Sequence, residues 1–87
     1  MDNFKVIIVE DVPLELKGTE GIIRNEIPEA EIIGTADSEQ AYFRLVKQQL
    51  PDLVLLDLGL GGSTTVGVEI CRYTKERYPA VKVLIFT

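Results

Sequence analysis

Leu53-Val54-Leu55-Leu56 is an unbroken apolar run that ends on Asp57 and passes directly into Leu58-Gly59-Leu60-Gly61-Gly62. So short a run, bounded by a proline before and glycines after, reads as a strand covered on both faces of a sheet. It carries a carboxylate to its C-terminal end, where the chain turns. In parallel α/β sheets ligands gather outside the C-terminal ends of the strands. An acid in that position is placed for chemistry, and the other strands decide what stands beside it.

Phe4-Lys5-Val6-Ile7-Ile8-Val9 has the β-branched content of a central strand and runs straight into Glu10-Asp11. Pro13 suits the first position of a helix, along which Leu14, Gly18, Gly21 and Ile22 fall on one face, widened by Ile23 and Ile27. Pro28 ends it. Ala30–Ala36 reads as a second strand, alternating in part and so nearer a sheet edge. Asp37 or Ser38 caps the next helix, with an apolar stripe of Ala41, Leu45 and Val46, closed by Pro51. Asp52–Leu56 is the third strand, and Gly59 to Thr64 form a flexible loop. A third helix is expected from about Val66 to about Tyr78, burying Ile70, Cys71 and Thr74, stopped by Pro79. Val81–Phe86 is a fourth strand, and Thr87 follows it.

The order βαβαβαβ, with right-handed crossovers, makes a parallel sheet in a single domain over residues 1–87. No apolar burst approaches a membrane span. Met1-Asp2-Asn3 lacks the features of a signal peptide, and Cys71 is the one cysteine, so a reducing, cytoplasmic setting is expected. A net charge of -5 disfavours direct nucleic-acid binding, which needs a basic face to displace counterions. A fourth strand with no helix after it leaves a sheet edge and part of a face uncovered, which favours a homodimer through that edge or face.

With the first and third strands adjacent, Glu10, Asp11 and Asp57 converge at one end of the sheet. Carboxylates about 4 Å apart repel by roughly 1 to 4 kcal/mol per pair at effective dielectrics between water and a protein surface. An oxygen-seeking divalent cation offsets this, and Mg²⁺ in particular keeps positions open for water and phosphate oxygens. Asp57 then suits the nucleophile for a phosphoryl donor. Thr87, at the end of the neighbouring strand, is placed to offer a hydroxyl to a phosphate oxygen. Taken singly, each residue has a plainer explanation: Asp57 capping its loop, Glu10-Asp11 capping the helix before Pro13, the glycines forming a turn. Their joint placement at adjacent strand ends is what points to a site.

VIIVED with Glu10-Asp11, PDLVLLDLGL with Asp57, GVEICRYTKERYPAVKVLIFT and the closing Thr87 together resemble the receiver domain of two-component response regulators, over the whole chain. The resemblance implies a flavodoxin-like, CheY-like doubly wound sheet of order 2-1-3-4-5, of which the chain supplies 2-1-3-4. It implies that Asp57 accepts phosphate from a sensor histidine kinase and that Asp11 ligates Mg²⁺ directly, Glu10 directly or through water. Gly59 would lend its backbone carbonyl to the metal, and Thr87 would contact the phosphoryl group. VEDVPLELKG is nearest to receivers that precede a helix-turn-helix DNA-binding output domain, which would make the parent protein a transcription regulator.

The chain departs from that pattern in two ways. It stops before the fourth helix, the fifth strand with its phosphate-pairing lysine and the fifth helix, so the domain is expected to be C-terminally incomplete and this chain alone to phosphorylate weakly or not at all. The loop Gly61-Gly62-Ser63-Thr64-Thr65 also lacks the usual proline turn. Two other readings compete. One is a receiver-like interaction or dimerisation module that is never phosphorylated. The other is a phosphohydrolase of the haloacid-dehalogenase type, whose pattern needs a second Asp where Gly59 stands.

Overall fold

The computed structural model describes residues 3–86. Strands β1 (Phe4–Val9), β2 (Ala30–Ala36), β3 (Leu53–Asp57) and β4 (Lys82–Phe86) alternate with helices α1 (Pro13–Glu26), α2 (Glu39–Gln48) and α3 (Thr64–Arg77), and a 3-10 turn at Leu60–Gly62 leads into α3. All pairings are parallel, in the order β2-β1-β3-β4, as expected. Among the described residues no helix is long and apolar enough to cross a membrane.

Strand parity builds two cores. Ile7 and Val9 of β1 and Val54 and Leu56 of β3 point to the α2/α3 side, where they meet Tyr42, Val46, Leu60 and Ile70. Val6 and Ile8, with Leu53 and Leu55, point to the opposite side and meet Ile23 and Leu16 of α1. Each aliphatic side chain so buried contributes about 1.5 to 3 kcal/mol relative to leaving it in water, which is why the central strands carry almost no polar residues. At the N-terminal ends Asp52 pins the register: its Oδ2 accepts from the Lys5 N–H at 2.8 Å, and its own N–H donates to the Lys5 carbonyl at 2.8 Å.

β2 slips by one residue against β1 between Val6 and Ile7, pairing Ile7 with Gly34 and leaving Ile33 as the extra residue. Gly34 leaves room for α2 to approach, because a Cβ there would lie 3.1 Å from both methyls of Leu45.

The first helix turns differently from its sequence reading. Leu14 is 80% and Ile22 62% exposed, whereas Ile23 is 5% exposed and Leu16 half-buried. Two apolar sets on this helix satisfy helical spacing, and the sheet selects the one with Leu16 and Ile23, which meets Val6 and Ile8. α2 buries Tyr42 as well as Val46. α3 begins two residues earlier than expected, at Thr64, because the Ser63 Oγ accepts from the Thr65 N–H at 3.2 Å. Along it Ile70 and Thr74 are buried and Cys71 half-buried.

Candidate functional site

The last β1–β3 pair is Val9 with Leu56, so the next residues on each strand, Glu10 and Asp57, stand side by side. Glu10 continues the parity of Val6 and Ile8, and Asp57 that of Leu53 and Leu55, so both fall on the α1 side of the sheet. Asp11 follows directly. Ligand oxygens of Glu10, Asp11 and Asp57 lie within 4.8 Å of one another, the convergence expected from the strand ends.

Glu10 is only 2% exposed. Burial pushes its carboxyl up from the ordinary range, the Val12 amide pulls it back, and neighbouring Asp57 and then Glu15 push it further up. The bond from Val12 is 3.2 Å long, to Glu10 Oε2, and α1 has no side-chain cap. Helix capping therefore does not account for Glu10-Asp11. Backbone amides of the loop after β3 serve the other two acids: the Gly59 N–H donates to Asp57 Oδ1 at 3.0 Å and the Gly61 N–H to Asp11 Oδ2 at 3.1 Å. The expected flexible loop is thus a turn, closed by the Gly62 N–H on the Gly59 carbonyl at 2.9 Å and anchored by Leu60, which is buried in the core.

That carbonyl is the one expected to face a metal; it retains a second lone pair. Thr87 lies outside the described residues. Phe86 before it pairs with Asp57, and the Leu58 N–H donates to the Phe86 carbonyl at 3.2 Å. Lys82 opens β4 at the end of the strand away from Asp57.

A cleft of about 300 Å³ opens beside the acids, lined by Glu10, Asp57 and Phe86 on the sheet and by Glu15, Gly18, Thr19 and Ile22 on α1. Glu15 and Thr19 were missed in the sequence. Glu15 had a usable signal, since it lies in the first turn of the helix that follows Asp11 and so at the same end of the molecule. An all-oxygen set of three carboxylates at this spacing, one of them buried, is chemically suited to a hard divalent cation such as Mg²⁺.

The chain is similar to known proteins in sequence and in fold. The chain is 30% identical over 86 residues to the transcriptional regulatory protein DegU of Brevibacillus brevis, covering 99% of this chain and 35% of that protein. It is 32% identical over 83 residues to the transcriptional regulatory protein LnrK of Bacillus subtilis, covering 95% of this chain and 36% of that one. The chain thus spans about a third of the length of these relatives. Among solved structures, a LuxR-family two-component response regulator from Aurantimonas sp. superposes with a TM-score of 0.86 at 28% identity, over 99% of this chain and 59% of that one. The RcsB response regulator of Salmonella typhimurium shares the fold, with a TM-score of 0.85 at 22% identity, over 98% of this chain and 42% of that one. The family model of the response regulator receiver domain matches residues 6–87, from the first buried residue of β1 through both acidic strand ends, and the chain belongs to that family.

Proposed function

We propose that this receiver accepts a phosphoryl group on Asp57, from a sensor histidine kinase, with Mg²⁺ held by Glu10, Asp11, Asp57 and the Gly59 carbonyl. The observation that carries the reading is the meeting of three carboxylates from two adjacent strand ends within 4.8 Å, beside an open cleft. When bound, Mg²⁺ supplies the positive charge that lets an anionic donor approach an anionic nucleophile. The free oxygen of Asp57 forms a bond to phosphorus while the bond from phosphorus to the donor atom breaks, the donor taking the electron pair. The Gly59 amide, already on Asp57 Oδ1, keeps the nucleophile oriented. Thr87 is assigned the hydroxyl contact to the phosphoryl group by its position in the family's pattern.

Residues 1–87 act on this reading as part of a cytoplasmic regulator, with phosphorylation controlling an output domain that acts in transcription, as the relatives named transcriptional regulatory proteins do. Incubating the full-length protein with acetyl phosphate and Mg²⁺ is expected to add one phosphoryl group, seen by intact mass spectrometry and abolished by Asp57→Asn. No adduct on the full-length protein overturns the reading.

A second reading, pairing of two copies, is supported by the β4 side of the sheet. Among the described residues β4 lies at the sheet edge, with Leu84 56% and Ile85 44% exposed. Leu84 also lines an apolar groove with Ile23, Ile27, Leu53 and Leu55. A two-fold axis at this edge would extend the sheet and cover both leucine and groove. Sedimentation is expected to show a dimer weakened by Leu84→Glu; a monomer at all concentrations overturns it.

A further inference from the structure

The loop after β3 aims one backbone amide at an acid of the cluster. Leu60, 1% exposed, anchors the turn in the core between the sheet and α3. The next two residues, Gly61 and Gly62, both take left-handed backbone angles, with φ of 70° and 75°. Glycine adopts these without the steric cost that a Cβ brings. The result aims the Gly61 N–H back across the strand ends to Asp11 Oδ2, 3.1 Å away and 50 residues distant in sequence. A hydrogen bond to an ionised acceptor is among the stronger kinds. It restrains the rotation of a half-buried side chain that is otherwise free to swing from Glu10 and Asp57, and it leaves the second oxygen for ligation.

We propose that the Gly61 backbone amide is the positioning group for Asp11, holding the acid cluster ready for a divalent cation. The inference rests on the metal-binding reading above and adds a residue to it. A proline at this place in the loop would have no N–H to give. The proline-free loop of this chain is then what allows the contact.

The test is Mg²⁺ binding by calorimetry to the 87-residue chain and to semisynthetic variants. In one, the Gly61 amide is replaced by an ester, which deletes the N–H donor and also weakens the Leu60 carbonyl as an acceptor. In another, the same replacement is made at Ser63, removing the turn's bond to the Leu60 carbonyl without touching Asp11 or the Gly59 carbonyl. A third carries D-alanine at position 61, which keeps both the N–H and the left-handed angle. Loss of partners that orient metal ligands typically lowers affinity 10- to 100-fold. The Gly61 ester is expected to bind Mg²⁺ about tenfold more weakly, with the D-alanine chain and the Ser63 ester close to the parent. A parent that binds and a Gly61 ester that binds equally overturn the role of Gly61 and leave the metal reading standing. Equal losses in the two esters overturn it as well, since the effect would then be general to the loop. A parent that binds no Mg²⁺ overturns the metal reading and the role of Gly61 with it. In the unmodified chain the Gly61 amide is expected to stay protected from hydrogen exchange when Mg²⁺ saturates the site, and faster exchange on adding Mg²⁺ counts against the proposal whether or not the esters fold.

Discussion

The Tyr42 hydroxyl, from α2, meets Thr74 Oγ1, from α3, in a fully buried hydrogen bond that joins the two helices on one face of the sheet. The direction of that bond follows from its neighbour. Thr74 spends its single proton on the Ile70 carbonyl at 2.8 Å, so the tyrosine is the donor and the threonine oxygen the acceptor. Burial raises the tyrosine's pKa, and the phenol stays protonated and able to donate. Deleting the two ends is therefore unequal. Tyr42→Phe leaves Thr74 with its bond to Ile70 and is expected to cost about 1 kcal/mol, whereas Thr74→Val strands a buried hydroxyl and is expected to cost about 1 to 3 kcal/mol. Urea unfolding of both variants checks this, and a larger loss for Tyr42→Phe would show the donor assignment to be wrong.

Glycine to alanine is expected to change sign with position. At Gly67 in α3 a Cβ would lie 3.0 Å from the backbone carbonyl of Leu58, an obstacle that does not move without shifting the loop that carries Asp57 and Gly59. Gly67→Ala is expected to destabilise by about 1 to 3 kcal/mol, in the range of overpacked sites. At Gly18 and Gly21 in α1 nothing lies within 4 Å of the added methyl. There alanine is expected to stabilise by about 0.5 to 1 kcal/mol each, through its helix propensity. Thermal unfolding of the three variants separates the cases.

Ser38 caps α2, its Oγ accepting from the Ala41 N–H at 3.2 Å. Removing that acceptor leaves a helix-end amide to water, and Ser38→Ala is expected to lose about 1 kcal/mol. Because α2 carries Tyr42 and Val46 into the core, the loss is expected in global stability, measured by chemical unfolding, rather than as local fraying of the helix end.

What was readable in the chain depended on whether the deciding contact was local. The spans of β1 and β2 follow from apolar bursts bounded by acids and prolines, and the convergence of Glu10 with Asp57 follows from strand order and the two-residue period of a sheet. The orientation of α1 did not follow. Leu14, Gly18 and Ile22 make as good a helical stripe as Leu16 and Ile23, and only the position of Val6, Ile8, Leu53 and Leu55 chooses between them. The start of α3 was obscured because Thr64 and Thr65 are β-branched and weak helix formers. Their place in the helix comes from the Ser63 cap in front of them. The contact of Gly61 with Asp11 was beyond reach for a different reason: it depends on two left-handed residues in succession and joins loops far apart in sequence.

A divalent cation is expected to act on stability as well as on chemistry. A ligand that binds only the folded chain adds about 2.7 kcal/mol at a hundredfold excess over its dissociation constant. Mg²⁺ is therefore expected to raise the unfolding midpoint of the parent in a concentration-dependent way. Asp57→Asn is expected to shift the onset of that rise to higher Mg²⁺. A midpoint that ignores Mg²⁺ in the parent would leave the three acids without a cation.

Glu10 makes the stability of the chain depend on pH in a definite direction. Burial, and after it the charges of Asp57 and Glu15, raise the carboxyl's pKa in the folded state, against the opposing pull of the Val12 amide. The folded chain therefore holds this proton more tightly than the unfolded chain does, and linkage makes its contribution fall as pH rises. That contribution is complete below the unfolded-state pKa of a glutamate and is lost as pH climbs from there through the raised folded value. Glu10→Gln keeps an oxygen for the Val12 N–H and removes the charge. Without Mg²⁺ it is expected to unfold at a higher temperature than the parent at neutral pH, with the gap closing as pH falls below the ordinary glutamate range. Taking the difference between parent and variant cancels the titration of every other acid that the substitution leaves undisturbed. Far-UV circular dichroism melts across that pH series check the sign, and a gap that widens on acidification would mean that Glu10 is stabilised as the carboxylate.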